Sequence, residues 1–326
     1  MNILEIKKLS VDILSQSIYL PILQNIDISI QKGEVLSIVG ESGCGKSLTA
    51  LSITKLLPEK ITRYTSGSIN FLGEDILNYT NEQLMNVRGK EISYIFQDPF
   101  TSLNPIKKIK DQIIESFIIH ISKNKKEAIE KAEFLLNKVG VNDIKTRLES
   151  YPGQMSGGIL QRISIAMALM CDPILLIADE PTSALDVSVQ SQLIELLMDI
   201  KNENQMSILF ISHDIGVVSN IADKIVVMYA GQVIEESNYL DIIQNPLHPY
   251  THALINSIPS LDKIKDGSKL ESIQGIVPAP QDYPQGCHFQ DRCSKSIDIC
   301  SHKKPEYLSI KHRKIRCFLF GDKSHD

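Results

Sequence analysis

The residues with the most chemistry in them stand together at Gly40-Glu41-Ser42-Gly43-Cys44-Gly45-Lys46-Ser47, a G-x-x-x-x-G-K-S spacing. Glycines let successive backbone N–H groups curl around phosphate oxygens, and a helix starting there adds its partial positive charge. Lys46 has the reach for the terminal phosphates of a nucleotide, and the Ser47 hydroxyl is of the type that ligates magnesium. A second chemical position is Asp179-Glu180, which ends the apolar run Ile174-Leu175-Leu176-Ile177-Ala178. Ligands gather at the C-terminal ends of strands in a doubly wound sheet. Asp179 is therefore placed to hold magnesium, directly or through water, and Glu180 to take a proton from water attacking a γ-phosphate. Taken singly, these are a glycine-rich turn with an exposed lysine and two surface acids. Their flanking elements decide the reading.

Those elements have the required order. The apolar run Val35-Leu36-Ser37-Ile38-Val39 predicts a buried strand into the loop, and Leu48 to Leu57 a helix out of it. Apolar alternation over residues 1–32 predicts antiparallel strands, and Tyr19 there reads equally as an adenine-stacking ring or as a tyrosine packed on the sheet. Ser66-Gly67 reads as a turn before a strand, and Thr80 to Val87 as a short helix capped by Thr80. Glu91 to Phe96 predicts a strand ending at Gln97. Asp111 to Ile121 and Lys125 to Val139 have helical periodicity, as an α-helical insertion between two parts of a sheet. Beyond the glycine-dense Gly153 to Gly158, a mostly apolar helix is expected over Ile159 to Met170. Ser188 to Ile200 reads as a helix and Ser207 to Ile211 as a strand with His213 at its end. Lys224 to Tyr229 and Gln232 to Glu235 read as a hairpin about Ala230-Gly231.

The bulk numbers bound the class. A chain of 326 residues with 43% hydrophobic and 22% charged residues is long enough for one large domain plus a smaller one. Its net charge of -5 gives no basic footprint for nucleic acid. No apolar run reaches the roughly 18–20 residues that cross a bilayer. The start, Met1 to Lys8, lacks the pattern of a secretory signal. The expectation is a soluble cytoplasmic chain that meets a membrane through partners. Prolines punctuate the chain after Glu236, and a boundary is expected near 240.

In order along the chain stand the phosphate loop, Gln97, Met155-Ser156-Gly157-Gly158-Ile159-Leu160-Gln161-Arg162, Asp179-Glu180, Ser183-Ala184-Leu185-Asp186 and His213. This series resembles the ABC ATPases over residues 1 to about 240. The resemblance implies an α/β fold, a P-loop ATPase domain with a RecA-like sheet core, an antiparallel β subdomain and a helical subdomain at about 98–170. It implies ATP and Mg2+ bound by Gly40 to Ser47 and on to Leu48, with Asp186 at the nucleotide site. Gln97 would contact magnesium and the attacking water, and His213 the γ-phosphate. Two ATPase units would dimerise head to tail, each Ser156, Gly157 and Gly158 completing the other's site. The signature departs from the family's usual form, with Met155 for leucine and Ile159-Leu160 after the glycines. Leucine to methionine conserves volume, so this half-site is expected to work.

A narrower resemblance covers Phe96-Gln97-Asp98-Pro99-Phe100-Thr101-Ser102-Leu103-Asn104-Pro105, Ala184 to Gln190, and Asn245-Pro246-Leu247-His248-Pro249-Tyr250-Thr251. It is to the ATPases of dipeptide, oligopeptide and nickel importers. They imply a second ATPase subunit, two transmembrane permease subunits and an extracytoplasmic solute-binding protein as partners, and a peripheral place on the cytoplasmic membrane face. Residues 241–326 would be the small extension these proteins carry. Cys287, Cys293, Cys300 and Cys317 lie there at C-x5-C-x6-C-x16-C, without the C-x2-C chelate usual for zinc. Thiolate ligation also suits iron–sulfur, and Gly286-Cys287-His288-Phe289 to Arg292-Cys293 resembles importers with a [4Fe–4S] cluster. Zn2+, helped by His288, His302 or His312, and unliganded thiols or disulfides remain the alternatives. Lys311 to Arg316 reads as a solvated basic face, with lipid headgroups or the thiolates as other partners. Two rival functions stand beside the importer: a soluble ABC ATPase acting on DNA or ribosomes, and a redox iron–sulfur protein regulated by ATP.

Overall fold

A computed structural model of the chain describes residues 1–183, 187–257 and 273–321. The chain divides into two compact units, one formed by residues 1–30, 35–77 and 212–326 and the other by 31–34 and 78–211.

The first unit holds two sheets. One is four-stranded, ordered β2-β1-β4-β5, from Asn2–Ser15 (β1), Ile18–Gln31 (β2), Thr62–Phe71 (β4) and Glu74–Asp75 (β5). Leu4, Ile6, Leu9, Ile26, Ile28 and Ile30 are buried, so the alternation seen along the chain marks one covered face. The expected turn at Ser66-Gly67 is instead a bulge inside β4. The register with β1 slips between Lys7 and Val11, and Gly67 takes φ +90° where its missing side chain admits the β1 backbone.

In the same unit Val35–Val39 (β3), buried at every residue, pairs in parallel with Lys224–Tyr229 (β9). The hairpin from β9 to Gln232–Asn238 (β10) closes on the pair Tyr229 and Gln232, as expected from Ala230-Gly231. The proline-rich tail then adds two strands, Leu308–Ile310 (β11) and Arg313–Ile315 (β12), giving the order β11-β12-β10-β9-β3. Lys311 and His312 are exposed, but from Arg313 onward the basic run is no solvated face. Arg313 meets the buried Glu235, Lys314 meets Glu236, and Arg316 is buried with its guanidinium on the carbonyls of Val233, Pro305 and Asn25. A strand position beside two buried acids outweighs the solvation that the composition suggested.

The second unit is built on three parallel strands in the order β8-β7-β6: Ile92–Ile95 (β6), Leu175–Asp179 (β7) and Ser207–Ser212 (β8). Every residue of β7 and β8 is buried, which is why both read as unbroken apolar runs. Helices Pro99–Ser102, Ile109–Ile113, Glu115–His120, Lys125–Lys138, Ile144–Glu149 and Gly157–Ala168 form the insertion, and Val187–Asn204 follows β7. Thr80 caps Asn81–Val87 in a reciprocal box with Gln83. The single helix expected from Asp111 breaks at Ile114. Among the described residues no helix is long and apolar enough to cross a membrane.

Candidate functional site

The loop after β3 has the geometry that its glycines permit. Gly43 and Gly45 lie at φ +81° and +101°, the left-handed region that a side chain resists. A Cβ on Gly45 would stand 2.9 Å from Leu23 Cδ2, and one on Gly40 would fall well inside contact distance of the Met228 carbonyl. Lys46 opens the helix Lys46–Ile53, two residues earlier than expected, and turns back to donate to the Gly40 and Glu41 carbonyls at 2.8 and 3.0 Å. Its ammonium thus closes a ring over backbone N–H groups at a helix start, an anion cradle. The β9–β10 turn braces this loop, for the Gly231 N–H donates to the Cys44 carbonyl at 3.0 Å. Cys44 is fully buried, and burial pushes its thiol up, so it acts as filling rather than as a nucleophile.

The second unit carries the acids. Asp179 ends β7 and is 5% exposed, with the Tyr94 hydroxyl donating to its carboxylate at 3.2 Å. Burial and this acid together push the Tyr94 phenol up, which keeps it a donor. Glu180 follows at φ +47°, its N–H bonded to the Ile211 carbonyl at 3.0 Å. Its side chain accepts from Gln97 Nε2 at 2.9 Å. The strand pairing of β6 with β7 therefore brings Gln97 and Glu180 together, although they stand 83 residues apart. Ser156 precedes the helix Gly157–Ala168, and its exposed hydroxyl makes no bond to that helix's own N–H groups. By contrast Thr80, Asp98 and Asn124 spend their side chains on such caps.

Back in the first unit, the tail reaches the phosphate loop. The buried Tyr250 hydroxyl accepts from the Glu41 N–H at 2.9 Å, and Arg292 grips the Glu41 carboxylate at both oxygens, at 2.8 and 2.9 Å. Tyr229, Tyr250 and Phe289 stack around this grip with ring centroids 4.8–5.3 Å apart. The four tail cysteines line one cavity together with Phe289 and His248. Burial pushes the Cys287 and Cys317 thiols up to about 11 and holds the His248 ring neutral, down to about 3. Among the described residues no three histidine, cysteine or acidic groups are gathered closely enough to hold one metal ion. His302 pairs with Asp298 and His312 with Asp241, and neither ring lines that cavity.

Comparison with known proteins decides the family. The model of the ABC transporter family matches residues 23–183, and that of the oligopeptide/dipeptide transporter C-terminal region matches residues 234–300. The oligopeptide transport ATP-binding protein AppD of Bacillus subtilis is 44% identical over 322 residues, covering 98% of each chain. The chain belongs to the ABC transporter ATPases. The dipeptide transport ATP-binding protein DppD of Haemophilus influenzae is 41% identical over 97% of this chain and 95% of its own. Among solved structures, the dimeric ATP-binding cassette MJ0796, in a post-hydrolysis state with ADP and Pi, aligns with a TM-score of 0.66. The identity there is 25%, over 72% of this chain and 98% of that one.

In this ABC ATPase the first unit carries Tyr19, the loop Gly40 to Leu48 and His213, and the second carries Gln97, Ser156 to Gly158, Asp179 and Glu180. Asp186 lies outside the described residues. His213 is exposed just beyond β8. The Tyr19 ring bears the Arg63 guanidinium 3.8 Å from its centroid. Sequence reasoning missed Tyr94, Arg63, Tyr250 and Arg292. Tyr94 gave a signal as a hydroxyl on the strand that ends at Gln97, and Tyr250 and Arg292 stand in stretches that carry the narrower resemblance, which gave them no role.

Proposed function

We propose that this ABC ATPase energises the import of peptides through a membrane transporter. The observation that carries this reading is the union of an intact phosphate loop with a tail of the oligopeptide/dipeptide transporter type in one chain, matched end to end by AppD. Lys46 and the loop N–H groups bind the phosphates, Ser47 and Asp179 supply oxygens to Mg2+, and Leu48 and Tyr19 complete the nucleotide contacts. Mg2+, when bound, neutralises charge on the transferred phosphoryl group. Glu180 takes the proton of the attacking water while Gln97, already bonded to it, orients the pair. His213 donates to the γ-phosphate. The uncommitted Ser156 hydroxyl, with Gly157 and Gly158, binds the ATP of an opposing subunit.

The ATPase domain is taken as 1–240 and the extension as 241–326. The partners are a second ATPase subunit, two permease subunits and a solute-binding protein. The exposed Phe96, Phe100 and Ile106 give a membrane subunit an apolar contact beside Gln97, and the chain sits peripherally on the cytoplasmic face. A nickel or metal complex is the alternative cargo. The cysteines hold a [4Fe–4S] cluster in this reading. Zn2+ held by the same thiolates is the alternative. What supports the cluster is the number and kind of ligand, four thiols lining one cavity.

Peptide uptake in cells lacking this chain tests the reading. Uptake is expected to fail and to return with the wild-type chain but not with Lys46→Ala. Unchanged peptide uptake, with co-purification of ribosomes or DNA, would establish the soluble ATPase instead.

A further inference from the structure

Glu41 presents a problem that the phosphate loop has to solve. A carboxylate stands second in a loop whose business is to receive a polyanion, and unpaired it would repel the ligand. The tail solves this. Arg292, with a side chain only 6% exposed, meets both Glu41 oxygens, and its remaining donors go to Tyr229 Oη at 3.3 Å and to the carbonyls of Gln274 and Gly275 at 2.8 and 3.2 Å. Every N–H of the guanidinium fork thereby has a partner, and the fork holds one orientation. Tyr250 adds a second hold, accepting from the Glu41 N–H while its hydroxyl also faces the Glu41 carboxylate.

We infer that Arg292 and Tyr250 are positioning residues for the phosphate loop: from the C-terminal extension they neutralise Glu41 and fix the turn that binds ATP. Resting on the reading that ATP binds here, this makes the extension part of the nucleotide site. Arg292 immediately precedes Cys293 and lies three residues after Phe289, which packs on Tyr229 and Tyr250. The packing of the cysteine-bearing segment is thus felt at Glu41.

The test is Mg-ATPγS binding by calorimetry to the full chain and its variants. Arg292→Ala should weaken binding on the order of tenfold, because a carboxylate is left uncompensated at an anion site. Arg292→Lys, a point charge without the fork, should fall between the two. Adding Glu41→Gln to Arg292→Ala should recover most of the lost affinity, which a purely structural role would not do. Weakening that Glu41→Gln does not relieve would overturn the inference. So would wild-type affinity in Arg292→Ala while Lys46→Ala abolishes binding, a result that leaves ATP at the loop intact. Binding unaffected by Lys46→Ala would overturn the ATP reading and the inference with it. If Arg292→Ala does not fold, Arg292→Lys with and without Glu41→Gln gives the same contrast.

Discussion

Glu235 is the acid that ties the extension to the sheet. It lies on β10, fully buried, and its two oxygens accept from the N–H of Leu247 at 2.8 Å, the N–H of His248 at 2.9 Å and Arg313 Nη2 at 2.6 Å. Glutamine is nearly isosteric, but it keeps one acceptor oxygen and turns an NH2 group toward a donor. It also leaves the Arg313 guanidinium, with a side chain 11% exposed, without its counter-charge. Removing one partner of a buried pair costs about 3–5 kcal/mol. Retaining one oxygen returns roughly one hydrogen bond, about 1 kcal/mol. The net expectation for Glu235→Gln is a loss of about 2–4 kcal/mol. On a domain of this size that lowers the thermal midpoint by roughly 5 °C or more. Differential scanning calorimetry of the full chain, with urea midpoints alongside, measures it. The segment from Leu247 leads through His248 to Tyr250, so ATP affinity should weaken as well. A midpoint within about 1 °C of wild type would refute the reasoning, since it would mean that the two N–H groups and Arg313 find other partners at no cost.

Two further outcomes are expected, one from the loop geometry and one from the proposed cluster. Gly40→Ala should lose ATP binding by more than about tenfold, because its Cβ cannot coexist with the Met228 carbonyl and the loop must shift; titration with a nucleotide analogue checks it, and wild-type affinity would contradict it. Anaerobic purification should yield iron and acid-labile sulfide with broad visible absorption, lost on replacing Cys293 with serine; zinc alone would contradict the cluster.

Much of the site was legible because its parts are local. The strand, the glycine turn and Lys46 follow one another, and φ angles that only glycine takes easily are written in the residue type. The hairpin at Ala230-Gly231 and the Thr80 cap are of the same kind. The illegible features depend on distant partners. Gly67 reads as a turn in any short window and becomes a bulge only when β1 is laid beside it. The basic run reads as solvated until β12 is placed next to the acids of β10. The grip of Arg292 on Glu41 joins residues 251 apart, and no spacing rule reaches that far.

The central claim is that ATP bound at the loop is hydrolysed with Glu180 as the base, and phosphate release from Mg-ATP by the purified chain tests it most directly. Glu180→Gln is expected to bind ATP as tightly as wild type but to release phosphate at least about a hundredfold more slowly, the usual worth of a positioned base. Turnover by Glu180→Gln at the wild-type rate would contradict it.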